Sequence, residues 1–191
     1  MRQGLDLRPE QMDLSELLPI FVPAAFFARN NWPGPYSRLR TPDVGLTWTV
    51  LLPKQTMRYV NFAMQEHWES QNLDWKTLAL RNLSRRTNER PGVREMRAAT
   101  GDVSAIAFMF DDGLGPSRLL FREGLAQRFP AGYRVAMPEM SCGLAFAKDL
   151  QGQDRATVQG VIDHCYRNGT RPFVPGTYAP EDLMTLAEDA G

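Results

Sequence analysis

Ala105-Ile106-Ala107-Phe108-Met109-Phe110 is an unbroken apolar run closed by the turn residues Asp111-Asp112-Gly113. Gly132 to Met137 is a second, stopped by Pro138, and Leu144 to Ala147 follows closely. Apolar runs this short, bounded by Gly, Pro and Asp, read as buried strands. The last two leave no room for a helix between them. Neighbouring strands without intervening helices favour an α+β fold over a doubly wound parallel sheet. The expectation is one domain with a central, largely antiparallel sheet and four main helices packed on it.

The remaining pattern fits that frame. Val44 to Leu52 alternates and carries β-branched Val44, Thr47, Thr49 and Val50, predicting a strand ended by Pro53. Val93 to Thr100 is a weaker strand. Asp13 to Leu18 reads as a short helical turn. Met57, Val60, Met64 and Trp68 form one apolar stripe, predicting a helix over 55–70. Asp74 is a good N-cap for a second helix to about Arg86, with Trp75, Leu78, Ala79 and Leu83 on its stripe. Asn82 falls inside that stripe and needs hydrogen-bond partners if it is buried. A third helix opens at Gly115-Pro116-Ser117 and runs to about Arg128. A fourth spans Gln153 to Asn168, with Val158, Val161, Ile162 and Cys165 inward and Asn168-Gly169 as a left-handed stop. An extended stretch, Pro172 to Pro175, leads to a short helix after Pro180. Residues 1–12 read as a polar arm, 13–187 as the domain and 188–191 as a tail.

Charge and composition remove several function classes. The chain has 191 residues with 22 basic and 22 acidic side chains. Dedicated nucleic-acid binders usually carry a basic excess, so nucleic acid is not the expected partner. The balance hides two opposed segments, +4 over Asn72–Arg97 and −4 over Glu139–Gly191. The longest apolar run, Leu17 to Ala28, contains Pro19 and Pro23 and falls short of the roughly 20 residues that span a bilayer. No secretory h-region follows Met1, so a soluble cytoplasmic protein is expected, with thiols at Cys142 and Cys165. Two Cys make neither a disulfide scaffold nor a four-Cys zinc site.

No complete catalytic constellation stands out. Cys142, in Ser141-Cys142-Gly143, would need a His such as His164 or His67 as base. An ordinary buried thiol at a strand turn is the simpler reading. His164 and Cys165 are adjacent and project about 100° apart on a helix, so they do not start a metal site, and no metal or cofactor is expected. Gly113 to Arg118 joins a strand to a helix start, where Ser117 and Arg118 could meet an anion. The loop lacks both the Walker ending and the third Gly of a dinucleotide fingerprint. Arg81 and Arg85 lie one helical turn apart and begin a basic segment, 81–97, that could meet RNA or an acidic partner.

Several collinear segments resemble the YtpQ-like family, bacterial proteins of unknown function. They are Leu18-Pro19-Ile20, Leu78-Ala79 with Asn82-Leu83, Asp112-Gly113, Ser117-Arg118-Leu119-Leu120 and Gly132-Tyr133-Arg134-Val135-Ala136-Met137-Pro138. Phe146, Asn168-Gly169-Thr170-Arg171-Pro172 and Tyr178 complete the order. Together they cover about Leu17 to Leu183. Two departures are visible. The family carries a further N-terminal segment, and it places an Asp after the strand's Pro, where Glu139-Met140-Ser141-Cys142 stands here. The resemblance implies no reaction. The expected function is therefore a non-enzymatic binding or protein-interaction domain, with Asn82, Arg81, Arg85, Ser117 and Arg118 as contact residues and a protein partner or a second copy as occupant. The alternatives are a hydrolase or transferase using Cys142 with His164, and a nucleic-acid accessory protein using 81–97.

Overall fold

The computed structural model describes residues 8–29, 32–53, 56–98 and 100–186. Two antiparallel sheets, rather than one central sheet, organise this α+β fold. The first grows around β3 (Val44–Leu52), buried over Val44–Val50. β1 (Leu17–Pro23) pairs along one side of it, from Leu17 opposite Val50 to Pro23 opposite Val44. The helical turn expected over 13–18 stops early: Asp13 caps a 3₁₀ turn at Leu14–Glu16, and Leu17 already belongs to β1. Pro19 and Pro23 are tolerated because β1 has a ladder on one side only, and an edge strand can spare backbone donors.

β2 (Tyr36–Arg38) and β4 (Thr56–Tyr59) share the other side of β3. β2 lies against Gly45–Thr47 and β4 against Thr49–Leu52. β4 corrects the expected helix over 55–70. Met57 and Val60 fit a helical stripe, but β3 offers this segment a backbone ladder, and strand pairing wins. The helix proper, α2 (Phe62–Ser70), starts after Asn61, whose side chain accepts the Met64 amide at 2.9 Å. A five-residue helix, α1 (Ala25–Arg29), lies between β1 and β2.

The second sheet has the order β5-β6-β8-β7-β9, with β5 (Val93–Arg97), β6 (Val103–Met109), β7 (Tyr133–Glu139), β8 (Cys142–Ala147) and β9 (Thr177–Tyr178). Pro138 does not end β7. The register shifts between Ala136 and Glu139, so the missing Pro donor falls at an irregularity and the strand runs on. α5 (Gly152–Asn168) covers one face, burying Val158 and Ile162 against Ala105, Ala136, Leu144 and Phe146. Gly169 is extended (φ −67°, ψ 146°), not the left-handed stop expected. A Cβ there would stand 2.3 Å from Glu139 Cγ, so close packing keeps the position small. The other face joins the first sheet in one core that includes Phe21, Trp48, Trp68 and Trp75 with Phe108, Phe110, Val135 and Met137.

α3 (Trp75–Asn88) starts at the Asp74 cap as expected. The expected third helix is two pieces, a buried 3₁₀ helix at Pro116–Leu120 and α4 (Arg122–Arg128), broken at Phe121. Of the expected arm, residues 1–7 lie outside the described residues, and Met12 is buried in the core. The tail 188–191 also lies outside them. Among the described residues no helix is long and apolar enough to cross a membrane.

Candidate functional site

Arg118 is fully buried. Its guanidinium donates to both carboxylate oxygens of Asp112, Nη1 to Oδ1 at 3.1 Å and Nη2 to Oδ2 at 2.9 Å. Nε donates to the Thr87 hydroxyl at 2.9 Å, and the group sits 3.4 Å above the centre of the Phe110 ring. Arg86 approaches the same carboxylate, Nε to Oδ2 at 3.4 Å, and also binds Glu16 at 3.0 Å. Burial alone would push the Asp112 carboxyl up. The Arg118 hydrogen bonds and charge, the Leu114 amide and Arg86 outweigh that and hold it below the ordinary range. Fork-to-fork pairing with Arg is the strong form of such a contact. The network ties the loop after β6 to α3 and to the approach to β1.

Two glycines complete this junction. A Cβ on Gly115 would stand 2.5 Å from the Cys142 backbone nitrogen, and one on Gly143 would stand 2.5 Å from the Gly115 carbonyl oxygen. The loop therefore lies directly on the β7–β8 hairpin, with the Gly115 amide donating to Met140 O at 3.1 Å. Ser117 and Arg118, expected at a contact surface or anion cradle, are interior residues instead. The cradle's amides are also engaged: Leu114 N donates to Asp112 and Gly115 N to Met140.

Cys142 and His164 do not form a nucleophile and base. Cys142 is buried, and burial pushes its thiol well above the ordinary range, with Cys165 and the Glu139 carboxylate adding to the effect. A thiol held protonated is a poor nucleophile. His164 is exposed on α5 and its ring contacts Asn168. Nearby, the buried Glu139 carboxylate accepts from the Ser141 hydroxyl and amide and from Arg171 N at 3.1 Å. Among the described residues no group of three or more potential metal ligands occurs.

Asn82 turns inward. Its Nδ2 donates to Leu14 O at 2.7 Å and Leu17 O at 3.0 Å, satisfying carbonyls where the chain enters β1. Its place in the α3 stripe is thus that of a hydrogen-bonded core residue, not a contact residue. Arg85 pairs with Glu89 and donates to Ser15 O. Arg86 is taken by Glu16 and Asp112, and Arg97 by Glu95. The expected basic face is therefore interrupted by Glu16, Glu89, Glu95 and Asp112, none of them from the C-terminal third.

Of the five expected contact residues, Arg81 lines a large cleft. This cleft, about 1340 Å³, lies between α3, the start of α4, the start of β7, the turn after β8 and the Pro180-Glu181 corner. Leu80, Phe121 and Tyr133 give it apolar surface. Arg81, Arg122 and Lys148 line it together with Glu123, Asp149 and Glu181. None of these six is in an ion pair with another described residue. Arg134, also in the lining, is held by Thr177 through bonds of 2.9 to 3.3 Å. Arg122 Nε is shielded from solvent with no hydrogen-bond partner. Burial raises the Tyr133 phenol, with Arg122 opposing and Glu181 reinforcing the shift. No local signal in the sequence marks Arg122, Lys148 and the three acids, because only the fold gathers them; Gly132-Tyr133-Arg134 is legible as a strand start and as part of the family resemblance, not as a cleft wall. Comparison with family models, curated proteins and solved structures finds no match for the chain.

Proposed function

We propose that the protein is a non-enzymatic interaction module of the cytoplasm that binds a segment of another protein in the α3–α4–β7 cleft. One observation carries the proposal: the cleft sets four cations, Arg81, Arg122, Arg134 and Lys148, and three carboxylates, none in an ion pair among the described residues, around apolar surface. A polypeptide segment offers both signs of charge and apolar side chains, so it complements such a surface. Polynucleotide phosphates would face the three carboxylates. The interrupted basic face leaves Arg81, Arg90 and Arg94 as the members of 81–97 outside ion pairs among the described residues, which also weakens docking of a second copy through that segment. Membership of the YtpQ-like family belongs to the same proposal and adds no reaction to it.

The test is selection from a random displayed-peptide library, followed by NMR mapping of the selected peptide. Shifts are expected around Leu80, Arg81, Tyr133 and Lys148. Leu80→Asp and Arg81→Glu should each weaken binding at least tenfold. Shifts confined to another face, or affinity untouched by both substitutions, would sink the proposal. Sedimentation at low and high salt gives the companion check, with a monomer expected at micromolar concentration in both.

A further inference from the structure

A second cavity lies where α1, β2 and the start of β3 meet, and it shares no lining residue with the cleft. Its wall begins with Tyr36-Ser37-Arg38-Leu39-Arg40. In the extended strand alternate residues share a face, so Tyr36 and Arg38 project together; Arg40 follows at a bend and lines the same cavity. Backbone pairing continues past the strand. The Arg40 amide donates to Met184 O at 3.0 Å, and Arg38 O accepts from the Leu186 amide at 2.9 Å. Phe27 of α1 stacks on Tyr36 with ring centres 4.4 Å apart and planes 17° from parallel. Gly45 makes this placement possible, since a Cβ there would stand 2.3 Å from Phe27 Cε2. Phe27, Val44 and Leu186 give apolar surface to an open pocket of about 400 Å³. That size is in the range of small-molecule sites.

The charge in this lining is one-sided. Among the described residues, Arg38 and Arg40 belong to it and no Asp or Glu does. Neither guanidinium is in an ion pair with a described residue. A pocket with apolar surface whose charges, among the described residues, are two arginines complements a molecule with an apolar body and an anionic head. Guanidinium groups match carboxylates in shape, through paired N–H donors, as well as in charge. We propose that this pocket binds a single-chain amphipathic carboxylate, its chain over Phe27, Val44 and Leu186 and its head on Arg38 and Arg40.

Calorimetric titration with hexanoate, octanoate and decanoate, below their micelle-forming concentrations, tests the proposal. Affinity should rise about fourfold per added methylene until the pocket is full and then level off. Decanol should bind at least tenfold more weakly than decanoate, and decyltrimethylammonium should not saturate. Ala28→Trp, at an exposed position in the lining, should abolish decanoate binding. Arg38→Glu combined with Arg40→Glu should weaken it at least tenfold. Should Ala28→Trp fail to fold, nuclear Overhauser contacts between decanoate methylenes and the Phe27 ring of the unmodified protein decide the location. Absence of saturable decanoate binding to millimolar concentration, equal affinity for decanol, or contacts confined to other residues would each overturn the proposal.

Discussion

Arg118 and Arg81 carry the same guanidinium and belong to regions of opposite character. The junction at Arg118 is dry and closed: Asp112, Thr87 and Phe110 take up the side chain, and no solvent reaches it. The cleft at Arg81 is open, with its charges left unpaired by the fold. A fully paired charge network specifies one arrangement of the backbone. Unpaired charges around apolar surface leave recognition to a partner. The difference between the regions is thus whether the chain supplies the counter-charge itself.

The sharpest way to break the comparison is to remove Arg118. Arg118→Ala leaves the buried Asp112 carboxylate with only Arg86 and the Leu114 amide, and breaking a buried pair on one side costs about 3–5 kcal/mol, with Arg86 placing the loss toward the lower end. Urea unfolding should show that loss. Replacing both partners with apolar residues, Asp112→Leu with Arg118→Met, should recover much of it, because no lone charge then remains buried. If the single and double variants are equally unstable, packing rather than charge pairing holds the junction.

Acid gives a second, graded probe of the same pair. Asp112 has a folded-state pKa below its unfolded value of about 3.9. Its contribution to stability is therefore complete above the unfolded value and is lost as pH falls through the folded one. Stability measured from pH 6 down to pH 2 should fall more steeply in the unmodified protein than in Asp112→Asn. Parallel curves would remove Asp112 from the acid response.

Asn82→Ala should cost about 2 kcal/mol, since the buried Leu17 O and the half-buried Leu14 O lose their donor. Thermal unfolding should then shift by several degrees. Asn82→Asp should be at least as damaging, because a carboxylate offers no donor to those carbonyls. A neutral Asn82→Ala would mean that water replaces the amide and that the position is not part of the closed region.

The sequence pattern was readable where local chemistry and tertiary packing agree. The strand expected at Ala105 to Phe110, the Asp74 cap and the α5 stripe all appear, although β6 runs Val103–Met109 and leaves Met109 exposed. It misled where two local readings were equally good. Met57 and Val60 suit a helix as well as a strand, and only the free edge of β3 decides between them. A single expected sheet became two because strand order across long intervals depends on which edges are already occupied. The candidate site was the least legible part. Arg81, Arg85, Asn82 and Arg118 look alike as polar residues on or near helices, yet their fates depend on partners far away in the chain. Asn82 meets Leu14, Arg85 meets Ser15 and Arg118 meets Thr87. Spacing along a helix reports a face; it does not report what faces it.

The smallest expected effect on stability is the one that tests function most directly. Arg81 is exposed, lines the cleft and makes no ion pair with a described residue. Surface changes away from caps, cores and networks leave stability nearly unchanged. Arg81→Ala should therefore move the unfolding midpoint by less than about 2 °C. The same substitution should weaken a cleft-bound peptide severalfold, and raised salt should narrow the difference, since an exposed charge contact is screened. The pairing of outcomes matters more than either alone. A stable variant with lost affinity places Arg81 on the recognition side of the comparison. A destabilised one moves it to the closed side, where Arg118 already stands, and the distinction between the two regions would then fail at its most exposed arginine.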